Sequence, residues 1–387
     1  MSRSVLVLST LYPPAVGGAE TYARILVEGL LGRGDDVLVV TDYFSGAHRS
    51  AHVVELSRYM ERLNSPELAR LEQLSFGLLP EIYTAMAGRP LPDLVFANSM
   101  DMAIIGRMIA TTLQRPLVVN YHEHAPEQEA FGSGRARLAY HDLHPDAIVA
   151  GSLFYHRRAL RFGAEPTSVH LIHHGVDMVR HAAAEAQRPH IRRLLGLADD
   201  QVLVMSSGRF KDRKNQKLLI RAFAAASHRM TTDAVILFAG STSSASSTYL
   251  TELMQESESL GVADRVVLRQ DLSYDDMAAY NAAADIAAVP SREEGLGFAV
   301  LEAMASGTVV LTASVPGISE IVKDTECAWL AGDNDVTSWA DGLTRLVNDA
   351  GERRRLGERG RDHVNAHFSA ELMVQRTVEL FDRVGVR

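Results

Sequence analysis

Short, almost wholly apolar runs recur along this chain, each followed after a loop by a segment whose apolar residues fall at helical spacing, and the alternation starts twice. A strand with no polar face must be covered on both sides, which is the condition of a parallel sheet flanked by helices. The first series opens with Val5–Ser9, a Pro/Gly loop from Tyr12 to Gly18, a helix from about Ala19 to Leu31 and a strand Asp36–Val40 after the Gly32-Arg33-Gly34 break. Tyr22, Ile25, Leu26 and Leu30 give that helix one apolar face for the sheet. Further strands are expected at Leu94–Ala97, Leu117–Asn120 and Ala147–Ala150. A polar, Arg-rich stretch, 177–193, intervenes, and the alternation restarts with strands at 202–206, 234–239, 266–268, 286–289 and 309–312. The expected fold is therefore α/β, with two Rossmann-like domains, 1–180 and 185–370, and a final helix in 371–387 that crosses back to the first.

Composition narrows the function. At 387 residues the chain is long enough for two domains, and a net charge of −9 with no long basic tract argues against a nucleic-acid groove. A lone cysteine, Cys327, excludes an internal disulfide framework and points to a reducing, cytoplasmic setting. The apolar run Val5–Leu8 is too short for a signal-peptide core or a membrane span, so no transmembrane segment is expected, and peripheral membrane contact stays open.

The densest chemical signal is the stretch from Ser291 to Gly307, SREEGLGFAVLEAMASG, which follows a buried strand. Glycines lead into a helix, and the backbone N–H groups around Gly297, Phe298 and Ala299 stand where a helix N-terminus can bind sugar or phosphate oxygens. Glu294 and Glu302 lie on either side, although two solvated carboxylates around a strand, turn and helix would have the same spacing. A second signal, SSGRFKDRKNQ from Ser206 to Gln216, follows the first strand of the second series. It reads either as a solvated charge run or as a set of cations aimed at an anion. A third is the loop around Gly17 and Gly18, which lacks the GxGxxG spacing of a dinucleotide site. A fourth is Asn120-Tyr121-His122-Glu123-His124; with His141 and His144 nearby it also admits a metal-binding reading. Asp333-Asn334-Asp335 stands just ahead of a helix expected from Val336, which favours a helix cap over a metal motif.

The paired glutamates, with seven residues between them, resemble the motif of retaining GT-B glycosyltransferases, and glycosyltransferase family 4 in particular. The resemblance is strongest over 202–320 and the first 40 residues. It implies two Rossmann-like domains facing across a cleft, with the nucleotide-sugar donor on the C-terminal side and a small-molecule acceptor on the N-terminal side. By the same resemblance Glu294 holds a donor-sugar hydroxyl, Glu302 the nucleotide ribose, Arg209 and Lys214 the diphosphate in place of a metal, and His122 a sugar hydroxyl. Gly17, Gly18, Gly297, Phe298 and Ala299 approach the donor through their backbone. No cofactor or metal is implied beyond the nucleoside diphosphate sugar, UDP- or GDP-linked. Two departures stand out: Asn215 occupies the place of the family's usual glycine, which opens the way for Lys211 or Arg213 to be the working cation, and His174 replaces Asn in His174-Gly175-Val176-Asp177. A nucleotide-sugar epimerase or hydrolase on the same fold, a His-rich metallohydrolase and a non-catalytic nucleotide-sugar-binding scaffold are the alternatives. Arg-rich, Ala-rich composition is common in GC-rich bacterial genomes, and by that association the acceptor is expected in natural-product or envelope glycoside synthesis.

Overall fold

The computed structural model describes residues 2–15, 17–42, 52–56, 70–123, 132–240, 247–270, 272–322 and 326–385. They form two compact units, one of residues 1–175 with 370–387 and the other of 176–369.

The first unit is a seven-stranded sheet built from β1 (Ser4–Ser9), β2 (Asp36–Asp42), β3 (Val53–Leu56), β4 (Leu94–Ala97), β5 (Leu117–Asn120), β6 (Ala147–Ala150) and β7 (Val169–Leu171), in the order β3-β2-β1-β4-β5-β6-β7. Every pairing is parallel. The central strands β4, β5 and β6 are buried at all four positions; β4 and β6 are wholly apolar, and β5 ends on the buried Asn120. The helix after β1 spans Gly18–Gly32 and buries Tyr22, Ile25, Leu26 and Leu30. Ser99 and Ser152 cap the helices Met100–Leu113 and Leu153–Arg161 by accepting from Met102 N and Tyr155 N. The final helix, Ala370–Gly385, packs on this same unit: its Val374 fills the space left by Gly29, and Phe381 meets Phe96 at 5.9 Å.

The second unit is a six-stranded parallel sheet of β8 (Val202–Ser207), β9 (Ala234–Gly240), β10 (Val266–Gln270), β11 (Ile286–Val289), β12 (Val309–Ala313) and β13 (Trp329–Ala331), in the order β10-β9-β8-β11-β12-β13. Trp339, Phe223 and Phe238 are its largest fully buried side chains together with Phe210. The helix Tyr274–Ala283 opens with a complete capping box between Ser273 and Asp276.

Differences from the sequence reading concentrate at the edges. The sequence pattern marks no strand at β3, β7 or β13, each an outermost strand of three or four residues; Glu55 breaks the run of β3 and His170 that of β7, whereas β13 is apolar but only three residues long. The Arg-rich stretch 177–193 is largely helical, Met178–Ala184 and Arg188–Leu194. Two of its arginines are structural: Arg188 and Arg192 both pair with Asp285, at 2.5 and 2.9 Å, and Asp285 also accepts from Leu203 N on β8.

Candidate active site

In an open parallel sheet, loops leaving neighbouring strands on opposite faces open a crevice at the strands' carboxyl ends. In the second unit that point lies between β8 and β11, and the two loops leaving these strands are the ones that carry the charged motifs. They are bonded to each other. Lys214 Nζ lies 2.5 Å from Glu294 Oε1 and Arg213 Nη1 lies 3.0 Å from Glu294 Oε2. Arg213 Nη1 also donates to the Glu293 carbonyl, and Ser291 Oγ donates to Glu294 Oε1 at 2.6 Å. Burial alone would raise the Glu294 carboxyl, but the cations of Lys214 and Arg213 and the Ser291 hydroxyl overcome it and hold it at about 2. Glu294 is therefore a fixed carboxylate, 7% exposed, with two cations against it.

Gly317 sets how closely this loop packs. A Cβ there would stand 2.0 Å from the Glu294 carbonyl oxygen, and its φ of +82° is one that side chains rarely adopt. The neighbouring Pro316 carbonyl accepts from Glu294 N at 3.1 Å. Gly297, at φ 97°, ends the loop and starts the helix Phe298–Ala305 with no side-chain cap, which leaves Phe298 and Ala299 in its first turn. Glu302 lies in that helix and, among the described residues, has no side-chain hydrogen bond of the kind that fixes Glu294. Burial pushes its carboxyl up to about 7, against the pull of Arg180 and then Lys214. Arg180 stacks its guanidinium 3.4 Å from the centre of the Tyr274 ring.

Of the two cations expected to hold a diphosphate, Lys214 is paired with Glu294, whereas Arg209 is exposed and has no carboxylate partner among the described residues. Arg209 is the main reason that the Lys211 ammonium is held below the ordinary lysine range, ahead of burial and Arg213. Three cations on one loop thus crowd one another, an arrangement that an anion would relieve. Asn215 keeps the turn that a glycine takes most easily: its φ and ψ are 54° and 34°, in the left-handed region that Asn tolerates best among residues with a side chain. Its Nδ2 donates to Asn334 Oδ1 at 3.2 Å. The neighbouring Asp335 caps the helix Val336–Asn348 by accepting from Thr337 N.

In the first unit the corresponding point lies between β1 and β4. Gly17 precedes the helix Gly18–Gly32 and its carbonyl accepts from Thr21 N; Val16 lies outside the described residues. His122, beyond the end of β5, bonds through Nε2 to Asn98 Oδ1 at 2.8 Å, and its ring lies 5.2 Å from that of Tyr22 and 4.9 Å from that of His174. Burial, and then Arg158, pull its pKa down to about 3, so the ring is neutral. His174 is 1% exposed and faces Asn120 Nδ2 at 3.2 Å. Its ring fills the place where a side chain on Gly151 would be, 2.0 Å from the Cβ position, which shows how a histidine is accommodated there. His141 and His144 lie together elsewhere, 5.9 Å apart, with His141 on Asp142, and His124 falls outside the described residues.

Asn98, Ser291, Arg180 and Glu123 were not singled out from sequence. Glu123 Oε1 accepts from Met100 N at 2.8 Å at the start of the helix Met100–Leu113. His122 is marked by the family resemblance and lies two residues beyond β5; Asn98, directly beyond β4, carries no such motif, and its position at a strand's carboxyl end is the one signal that could have found it.

The chain superimposes on solved proteins with two Rossmann-like domains. Anabaena HepE in complex with UDP-glucose has a TM-score of 0.79 at 21% identity, covering 98% of this chain and 100% of that one. Sucrose-phosphate synthase from Thermosynechococcus elongatus has a TM-score of 0.78 at 23% identity, covering 99% of each. Two parallel-sheet, Rossmann-like domains of this kind define the GT-B fold of glycosyltransferases. A family model described as Glycosyltransferase Family 4 matches residues 16–180, and one described as Glycosyl transferases group 1 matches residues 187–363. The chain belongs to glycosyltransferase family 4. Among its relatives is a D-inositol 3-phosphate glycosyltransferase of Salinispora tropica, 33% identical over 228 residues that make up 57% of this chain; the match spans about half of that relative, 47% of its length. A GDP-mannose-dependent monoacylated alpha-(1-6)-phosphatidylinositol monomannoside mannosyltransferase of Corynebacterium glutamicum is 26% identical over 98% of both chains.

Proposed function

We propose that this protein transfers a hexosyl group from a nucleoside diphosphate sugar to a hydroxyl of a small acceptor, with retention at the anomeric carbon and without a metal. The observation that carries the reading is the cluster of Glu294, Lys214 and Arg213 at the carboxyl ends of β8 and β11, beside the uncapped helix start at Gly297. A donor brings a diphosphate, which suits Arg209 and Lys214, and sugar hydroxyls, which suit the fixed Glu294 carboxylate and the amides of Gly297, Phe298 and Ala299. Glu302 takes the ribose, and His122 a sugar hydroxyl. Gly17 and Gly18 let backbone approach the donor.

In the reaction the anomeric carbon loses its bond to the diphosphate oxygen and gains one to the acceptor oxygen on the same face. The acceptor proton passes to the departing diphosphate oxygen, so no protein nucleophile is required. Charge gathers on the diphosphate as it leaves, and fixed cations stabilise it there better than in the ground state. The relatives' names, with an inositol phosphate and a phosphatidylinositol mannoside among their substrates, support an acceptor of the polyol or glycoside class and an envelope setting.

The test is thermal unfolding with UDP, GDP, ADP and TDP, with and without EDTA, followed by turnover with the nucleotide sugar so identified. A ligand that binds only the folded state raises its apparent stability. The reading expects one nucleotide to stabilise the protein equally in EDTA. A strict requirement for added manganese or zinc would refute the metal-free mechanism, and release of free sugar with no acceptor would favour a hydrolase.

A further inference from the structure

Asn98 follows β4 and is 2% exposed. Its Nδ2 donates to the Ala19 carbonyl oxygen at 3.1 Å and to Ser9 Oγ at 3.3 Å. A carbonyl oxygen has no hydrogen to give, and the Ser9 hydroxyl donates its own to the Leu11 carbonyl at 2.7 Å. Both neighbours therefore require the NH2 edge of the amide, and Oδ1 is left facing His122 Nε2, 2.8 Å away. An amide oxygen only accepts, so Nε2 carries the hydrogen. A neutral imidazole has one ring hydrogen, and Nδ1 is then a bare acceptor. The ring is held in place on its other sides by Tyr22 and His174, and Tyr155 Oη donates to the His122 carbonyl at 3.2 Å.

We propose that Asn98 is a positioning residue that locks His122 in its Nε2–H form, so that His122 meets its ligand only as a hydrogen-bond acceptor through Nδ1. The ligand group at that point is thereby defined as a hydroxyl: a bare Nδ1 takes a hydrogen bond from a sugar hydroxyl and gives none to a phosphate oxygen. The proposal rests on the reading of His122 as a sugar contact, and it extends that reading to the direction of the bond. It also assigns a task to the hydrogen bond from the Asn98 amide to the Ala19 carbonyl, in the first turn of the helix that Gly17 precedes and Gly18 opens, since this bond orients the amide that orients the ring.

The full-length protein labelled with 15N-histidine tests this by long-range proton–nitrogen correlation, with His122 assigned by comparison with His122→Ala. The expected spectrum shows His122 in a single Nε2–H form across the neutral pH range. A protonated Nδ1, or an interconverting mixture in the wild type, overturns the proposal without any assay of activity. In Asn98→Leu, or Asn98→Ala if the larger side chain does not fold, the form is expected to become mixed. Turnover should fall about tenfold or more through kcat, with a smaller change in KM, as for a misaligned contact. Normal kcat with a mixed form would also overturn the proposal. Undiminished turnover in His122→Ala, with the wild-type spectrum as expected, would instead remove the sugar-contact reading and with it the catalytic part of the proposal.

Discussion

Glu294 and Glu302 are eight positions apart and chemically opposite, and the difference is one of neighbours. Two cations hold Glu294 ionised at about 2, whereas burial holds Glu302 at about 7. In the proposed role ribose hydroxyls donate to the ionised Glu302 carboxylate, and on that reading nucleotide binding below pH 7 must first expel a proton from it. Nucleotide affinity is therefore expected to fall between pH 8 and pH 6, by up to about tenfold per unit below the titration. Glu302→Gln should bind more weakly and lose this dependence; calorimetry across the range decides it, and a flat wild-type profile would reject the role. The sign for stability is opposite: the raised carboxyl favours the folded state when protonated, and that contribution disappears as pH rises through about 7. Gly317→Ala would force a Cβ against the Glu294 carbonyl at a positive φ, and is expected to cost about 1–3 kcal/mol and to weaken nucleotide binding. A wild-type melting temperature and affinity in that variant would show that the loop has room to move.

At the scale of elements, what could be read from sequence follows the unbroken apolar runs. Strands β4, β6 and β11 match the sequence pattern to the residue because each is a run of four buried apolar side chains that an aspartate precedes, and β5 matches through three apolar residues closed by the buried Asn120. Among the edge strands, β10 shows through its run Val266–Leu268 although none of its residues is fully buried, whereas Glu55 and His170 interrupt β3 and β7 and their pairing depends on neighbours remote in sequence. The site was legible in the same uneven way. Glu294 and Lys214 stand out by motif, but their direct bond, and the part played by Arg213 in it, arise only when β8 and β11 are set side by side. The helices Met178–Ala184 and Arg188–Leu194 show in sequence only as a polar, Arg-rich stretch, because an arginine paired with a part-buried aspartate looks no different there from one in solvent. Removing Asp285 would leave Arg188 and Arg192 without their carboxylate. Asp285→Ala is expected to destabilise the second unit by about 3 kcal/mol, near the lower bound for a broken buried pair because Arg188 is partly exposed. Urea unfolding measures it, and a loss below about 0.5 kcal/mol would mark the pairs as surface decoration.

For the molecule as a whole, each unit has a complete sheet and its own core, and the charged cluster lies within 176–369. Expressed alone, that segment is expected to fold and to bind the nucleotide selected by the full chain with similar affinity, without turning over; calorimetry on the excised segment checks this, and a failure to bind would place essential donor contacts in the first unit. The path of the chain has a consequence for how the protein is made. Residues 370–385 belong with the sheet begun at Ser4, so the unit that starts first on the ribosome is the last to be finished. Until that helix emerges, Gly29 lacks Val374 and Phe96 lacks Phe381, and the nascent first unit presents an uncovered apolar face while the second is already closed. A released chain cut short near residue 369 would thus present to chaperones and proteases a finished C-terminal half and an unfinished N-terminal one.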